Sequence, residues 1–103
     1  MITIYKYPLT LPINKIEMPQ NAKILSIGFD PFNHLCLWAK VNTDAEKETR
    51  IFELFGTGWP LDDADDADEE YHMYFLDTIK EEPYMWHVFE LKKKVFLEPK
   101  RED

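Results

Sequence analysis

The sequence is poor in cysteine and has no long apolar run. Cys36 is the one cysteine among 103 residues, so an internal disulfide is excluded and a reducing compartment is the natural setting. It lies in HLCLWAKV, an apolar stretch that predicts a small buried side chain rather than a reactive thiol. No stretch approaches the ~20 apolar residues of a membrane span. The start, MITIYKYPLTLPI, lacks the features of a signal peptide. We therefore expect a soluble, cytoplasmic domain without membrane contacts.

Basic residues are also scarce, since twelve Lys and Arg face twenty Asp and Glu, for a net charge of −8. Without seven clustered acids, thirteen acids would remain against twelve bases. We call these seven the acidic run: Asp62, Asp63, Asp65, Asp66, Asp68, Glu69 and Glu70. Direct binding of nucleic acid is disfavoured, because contacts to phosphate need Lys and Arg.

The chain contains seven Phe, five Tyr and three Trp, enough for one domain with a real core. Short strand-like runs, broken by turn residues about every ten positions, predict an all-β fold. We expect a small antiparallel barrel or sandwich of about six or seven strands over residues 1–90. Residues 60–70 would form an acidic loop, and residues 91–103 a charged C-terminal extension.

Two hairpins are predicted from turn chemistry. Asp30 before Pro31 favours a type I turn, and Asn33 tolerates the left-handed conformation. The expected register places Phe29 opposite His34 and Ile27 opposite Cys36. Residues 68–79 are compatible with a helix, but their aromatic and β-branched content favours a second hairpin around residues 80–83. Its expected register places Ile79 opposite Tyr84, Phe75 opposite Val88, His87 opposite Leu76 and His72 opposite Leu91.

The acidic run has three readings. A calcium loop of the EF-hand type needs a central glycine and alternating acids, which DDADDADEEYHM lacks. Mimicry of nucleic acid would place carboxylates in the basic groove of a partner. The plainest reading is a solvated loop that opposes self-association.

Metal and catalytic sites are not expected. His34, His72 and His87 do not converge in the predicted hairpins, so no zinc site is predicted. A Cys–His pair would need an exposed Cys36, which its apolar surroundings argue against. We predict no catalytic residue, no metal and no cofactor.

The Gly-Thr-Gly-Trp break could form a pocket for a small ligand. It lacks the spacing of a phosphate-binding loop, although its backbone N–H groups could face a small anion. Cationic and stacking contacts would come from residues elsewhere if the fold gathers them. The candidate pocket residues are Arg50, Thr57, Gly58, Trp59, Trp86 and His87.

The blocks MITIYKYPL, AKILSIGF, LCLWAKV, RIFELFGTGWPLDD and MWHVFE resemble a family of small bacteriophage proteins of unknown function. The resemblance covers about residues 1–90 and implies a phage protein acting inside an infected bacterium. The chain departs from that family after Pro60, in the acidic run, and in residues 91–103. The expected function is non-enzymatic binding of a host protein, a defence or replication factor, with the acidic run as one contact. The alternatives are a sponge for a nucleotide signal, using the aromatic pocket, and a minor virion component.

Overall fold

A computed structural model describes residues 1–61 and 70–94. In those residues alternating apolar and polar side chains form seven strands, and no helix is present. None of the described residues therefore forms a helix long and apolar enough to span a bilayer. The strands are β1 Ile2–Pro8, β2 Ile13–Pro19, β3 Lys23–Phe29, β4 Leu35–Asn42, β5 Lys47–Gly56, β6 Tyr71–Glu81 and β7 Tyr84–Lys93.

The strands form two antiparallel sheets. One sheet has the order β1-β4-β3 and the other the order β2-β5-β7-β6. The chain changes sheet after β1, after β2 and after β4, so the two sheets are built from interleaved parts of the sequence. The all-β prediction is confirmed, and the fold is a sandwich rather than a closed barrel.

The core lies between the two sheets. Period-two alternation points one side of each strand inward, as in Leu37, Ala39 and Val41 of β4 and Phe52 and Leu54 of β5. The largest fully buried side chains include Phe52 and Met18. The rest of the buried cluster is Leu9, Ala22, Ile27, Ile79, Trp86 and Val88.

A buried asparagine supports the segment that carries the chain from β1 to β2. The Asn14 Oδ1 accepts a 2.7 Å hydrogen bond from the Thr10 N–H, and its Nδ2 donates to the Thr10 carbonyl at 2.8 Å. The carbonyl of Pro12 then accepts from the N–H of Leu54 at 2.8 Å. The backbone groups of this proline-rich segment therefore keep partners as the chain leaves one sheet for the other.

The β3–β4 hairpin has the predicted turn but a different register. Asn33 has φ 64° and donates its N–H to the Asp30 carbonyl at 2.9 Å. The predicted pairing of Phe29 with His34 is wrong, because Phe29 pairs with Leu35. The left-handed residue adds one position to the loop, which is the usual geometry of a three-residue hairpin loop. A bulge between Ile24 and Ser26 shifts the register again.

Residues 71–81 are strand β6, so the hairpin is correct here and the helix is not. Its predicted register is wrong. Tyr84 pairs with Glu81 and not with Ile79, so the strand pairing extends two residues closer to the turn than predicted. Only two residues then remain in the turn. A bulge between Phe75 and Asp77 then places Phe75 opposite Phe89, His72 opposite Lys92 and His87 opposite Thr78.

A buried carboxylate organises the β3–β4 turn. Asp30 accepts hydrogen bonds at 2.9 Å from Lys6 Nζ and from the N–H groups of His34 and Phe32. The bond from Lys6, followed by that from the His34 N–H, lowers the pKa of Asp30 from 3.8 to about 2. The thiol of Cys36 is buried, as predicted, beside this carboxylate. Burial, and then the charge of Asp30, raise the pKa of Cys36.

Candidate functional site

A recess of about 350 Å³ opens on the outer face of the four-stranded sheet, where β5 ends. We call it the aromatic recess. Its lining comes from the end of β5, the loop that follows, and the outward-facing side chains of β6 and β7. The lining residues are Phe55, Gly56, Thr57, Gly58, Trp59, Leu61, Phe75, His87 and Phe89.

The turn that follows β5 places Trp59 over the recess. The N–H of Trp59 donates to the Gly56 carbonyl at 3.1 Å, and Gly58 has φ 87°, a conformation that favours glycine. Gly56 is also required to be a glycine, because of the space available to it. A Cβ at that position would lie 2.7 Å from Trp59 Nε1, so only glycine lets the indole lie against the backbone.

His87 is held between two threonine hydroxyls. Its Nε2 lies 2.7 Å from Thr57 Oγ1, and its Nδ1 lies 3.0 Å from Thr78 Oγ1. Thr78 is the cross-strand partner of His87 on β6, whereas Thr57 belongs to the loop after β5. The imidazole therefore fixes the loop against the sheet, and both its nitrogens already have a hydrogen-bond partner.

Trp86 borders the site from the core side. Its ring contacts Trp59 edge to face, with centroids 5.5 Å apart, and stacks on Tyr84 at 5.4 Å. The indole N–H donates to Glu81 Oε1 at 3.1 Å. Trp86 is buried and lines a separate recess beside Leu9 and Leu35, so it supports Trp59 rather than the lining of the aromatic recess.

Three phenylalanines line the aromatic recess and were not among the residues predicted from the sequence. Phe89 contacts Phe55 and Phe75 edge to face, with centroids 5.7 and 5.6 Å apart. Phe75 is 58% exposed. The signal for Phe55 was present in the sequence, because it alternates outward with Glu53 along β5. Finding Phe75 required the true register of β6 and β7.

The described lining of the recess contains no Asp or Glu side chain. Among the described residues, no Lys or Arg lines it. Glu53 pairs with Phe89 across the strands, and burial raises the pKa of this carboxyl. The phosphate of a ligand would therefore meet no cationic side chain in the part of the site that the structure describes.

Arg50 lies elsewhere. It is on the inward face of β5, where Nε and Nη2 donate to Glu90 at 2.7 and 2.8 Å and Nη1 donates to the Ala22 carbonyl at 2.5 Å. Its guanidinium also lies 5.8 Å from the centre of the Phe52 ring. These contacts belong to a different recess, of about 640 Å³, which also contains Lys15, Lys92 and Lys93. The structure thus brings together Thr57, Gly58, Trp59 and His87, but not Arg50.

Most of the acidic run, Asp62 to Glu69, lies outside the described residues. The residues on either side are described. Leu61 lines the aromatic recess, and Glu70 precedes β6, where its carbonyl accepts from the Lys94 N–H at 2.6 Å. In the sequence, the run therefore follows directly on a residue that lines the recess.

Within residues 1–61 and 70–94, no group of three or more His, Cys, Asp or Glu side chains is placed to hold a metal ion. His34 lies beside Asp30, whereas His72 contacts the ring of Tyr74 and His87 contacts threonines. The aromatic lining of the recess suits contact with an apolar or aromatic group.

The fold and this site define a small β-sandwich protein with an aromatic recess on one outer face. The chain belongs to the family described as domain of unknown function DUF7352, which matches residues 1–96. The match includes the acidic run and extends into the C-terminal extension. No curated protein matches the chain, and neither does any solved structure. The family description carries no source or activity, so a phage origin stays a prediction.

Proposed function

We propose that the chain is a non-enzymatic phage accessory protein that binds a host protein through the aromatic recess and the acidic run. The observation that carries this proposal is their adjacency. Leu61, the last described residue before the run, lines the recess together with the exposed rings of Trp59 and Phe75. Exposed aromatic groups beside concentrated charge are typical of a surface that contacts another protein.

The chemistry of this surface specifies its partner. Aromatic rings in a recess accept an apolar side chain as an anchor, and this type of contact supplies most of the affinity in protein interfaces. Seven carboxylates attract Lys and Arg, which accelerates association and orients the partner. The expected partner therefore presents an apolar anchor next to a basic patch. A host defence or replication factor that handles nucleic acid would meet both requirements.

The experiment is affinity capture from bacterial lysate, followed by binding measurements on the captured protein. Phe75→Ala truncates the most exposed ring of the recess. Phe32→Ala is the matched control, because Phe32 is 78% exposed but lies in the β3–β4 turn. We expect Phe75→Ala to raise the Kd by about tenfold or more, and Phe32→Ala to leave it unchanged. Equal effects of the two variants would refute the recess as the contact.

The acidic run is tested separately, by replacing all seven acids with Asn or Gln. Charge attraction is screened by salt, so the wild-type Kd should rise steeply with NaCl concentration. The neutralised variant should associate more slowly and lose most of that dependence. If its Kd and salt dependence match the wild type, the acidic run is not a contact.

A nucleotide sponge is the second candidate, favoured by the size and lining of the recess. About 350 Å³ lies within the range of small-molecule sites, and Trp59 and Phe75 offer faces for stacking. The absence of Lys and Arg from its described lining weighs against it. Calorimetric titration with cyclic and linear nucleotides decides between the two: heat that Trp59→Ala abolishes would favour the sponge, and flat titrations would remove it. A virion component would instead appear by mass spectrometry of purified particles.

A further inference from the structure

Strand β1 presents backbone groups that have no partner among the described residues. It is an edge strand, paired only with β4 within that part of the chain. The Thr43 N–H donates to the Met1 carbonyl at 2.8 Å, and the Leu9 N–H donates to the Leu35 carbonyl at 2.9 Å. Because antiparallel ladders alternate, odd-numbered residues of β1 bond to β4. The N–H and C=O groups of Ile2, Ile4 and Lys6 therefore point away from the sheet.

The other described edges carry features that oppose pairing, and β1 does not. β3 and β6 each contain a bulge, and β2 has the charged residues Lys15 and Glu17 at alternate positions. In β1 the register with β4 is uninterrupted from Ile2 to Pro8. Its one charged side chain, Lys6, is neutralised by Asp30 at 2.9 Å. Among the described residues, this edge is regular, largely apolar and open.

We propose that two copies of the chain associate through β1, antiparallel, with Ile4 on the two-fold axis. Ile4 then faces Ile4 of the second copy, and Ile2 faces Lys6 of the second copy. In this register the outward N–H and C=O groups of all three residues are paired, giving roughly six hydrogen bonds between the copies. The two three-stranded sheets become one continuous sheet.

Pro8 and Lys6 disfavour the two neighbouring registers. A shift of two residues in one direction would place Pro8, which has no N–H, opposite Ile2, and a shift in the other direction would leave Lys6 unpaired. The side chains also favour this register, because Ile2 and Ile4 are each 59% exposed on the same face of the sheet. The two Ile4 side chains cover each other, and Ile2 covers the aliphatic part of Lys6. Each Lys6 keeps its own Asp30, so the dimer brings together no unpaired like charges.

The contact area limits the affinity. A strand of seven residues is about 24 Å long, and its edge buries well under the roughly 800 Å² per partner of a standard interface. The expected dimer is therefore weak, with a Kd on the order of micromolar. This association does not depend on the proposed function, because β1 and the aromatic recess belong to different sheets.

Sedimentation velocity of the full chain, from about 1 to 500 µM, tests the dimer. We expect the sedimentation coefficient to rise from that of a monomer to that of a dimer. Ile4→Glu places two like charges on the axis, faces Lys40 of β4 in its own copy, and should raise the Kd by at least about tenfold. Ile13→Lys is the matched control, since Ile13 is 51% exposed on β2, and it should leave the Kd unchanged. A monomer throughout, or equal effects of the two variants, would overturn the proposal.

A second measurement tests the register and protects against a folding defect. Oxidation of Ile4→Cys should give a disulfide-linked dimer, whereas Ile2→Cys should cross-link less, because only position 4 faces itself. Cys36 is buried and should not interfere. Cross-linking that is equal at positions 2 and 4 would refute this register.

Discussion

Breaking the ion pair between Arg50 and Glu90 on one side should lower the stability of the fold strongly and leave binding unchanged. The Glu90 side chain is buried and the Arg50 side chain is largely buried, being 4% and 13% exposed. Arg50 also donates to the carbonyl of Ala22, in the connection between the sheets. Glu90→Leu removes two charge-assisted hydrogen bonds and leaves a largely buried guanidinium without its counter-ion. The expected loss is about 3–5 kcal/mol of the free energy of unfolding.

The size of this loss can be set against the whole stability of such a domain, which is about 5–15 kcal/mol. With a denaturant slope of about 1.5 kcal/mol per molar urea, the midpoint should fall by roughly 2–3 M. Tryptophan fluorescence and circular dichroism should give the same midpoint if unfolding is two-state. Glu90→Gln keeps the shape of the side chain and part of its hydrogen bonding. Its urea midpoint should therefore fall less than that of Glu90→Leu, and the variant should remain folded.

The double variant Arg50→Met/Glu90→Leu completes a mutant cycle. Replacing both partners by apolar side chains removes the unpaired charge, so the double variant should be more stable than Glu90→Leu alone. Its affinity for a protein or nucleotide ligand of the aromatic recess should equal that of the wild type. A loss below about 1 kcal/mol for Glu90→Leu would match an exposed pair and refute the buried-pair reasoning.

Three further predictions concern single residues. The ionised Asp30, with its pKa lowered from 3.8 to about 2, stabilises the fold above pH 3.8, and this contribution disappears as pH falls toward 2. The urea midpoint of the wild type should therefore fall more steeply in that range than that of Asp30→Asn; parallel curves would contradict this. Cys36, buried and with a raised pKa, should react with a thiol reagent far more slowly in the native protein than in denaturing urea, and equal rates would show it exposed. Gly58→Ala should lower the free energy of unfolding by about 1–2 kcal/mol, because Gly58 has a positive φ. Gly28→Ala should raise it by about 0.4–1 kcal/mol, because a Cβ there meets no other atom. Urea unfolding measures both, and a Gly28→Ala variant less stable than Gly58→Ala would contradict the prediction.

Local chemistry made the strands and turns predictable from the sequence. The Asp-Pro turn, the left-handed Asn33 and the end of β5 at a glycine each depend on a few neighbouring residues. The registers were not predictable in the same way. One left-handed residue and two bulges shift the pairing by single positions, and each shift depends on packing against the second sheet.

The candidate site was predictable in part for the same reason. Thr57, Gly58 and Trp59 are adjacent in sequence, and His87 reaches them because β7 pairs with β5. Arg50 lies about 20 Å away along β5 and on the opposite face, which only the strand bounds and alternation reveal. Phe75 joins the recess through the bulge in β6, for which the sequence carries no local signal.

The interleaving of the sheets has a consequence for how the chain acquires its structure. β3–β4 and β6–β7 are hairpins that can form early from local contacts. β1 and β2 precede their partner strands, β4 and β5, in the sequence. Ile2 can pair only after Asn42 has been synthesised, and Ile13 only after Glu53. During synthesis the N-terminal strands leave the ribosome with apolar faces exposed and no partner strand. Closure of these long loops places the domain among slow, millisecond-to-second folders.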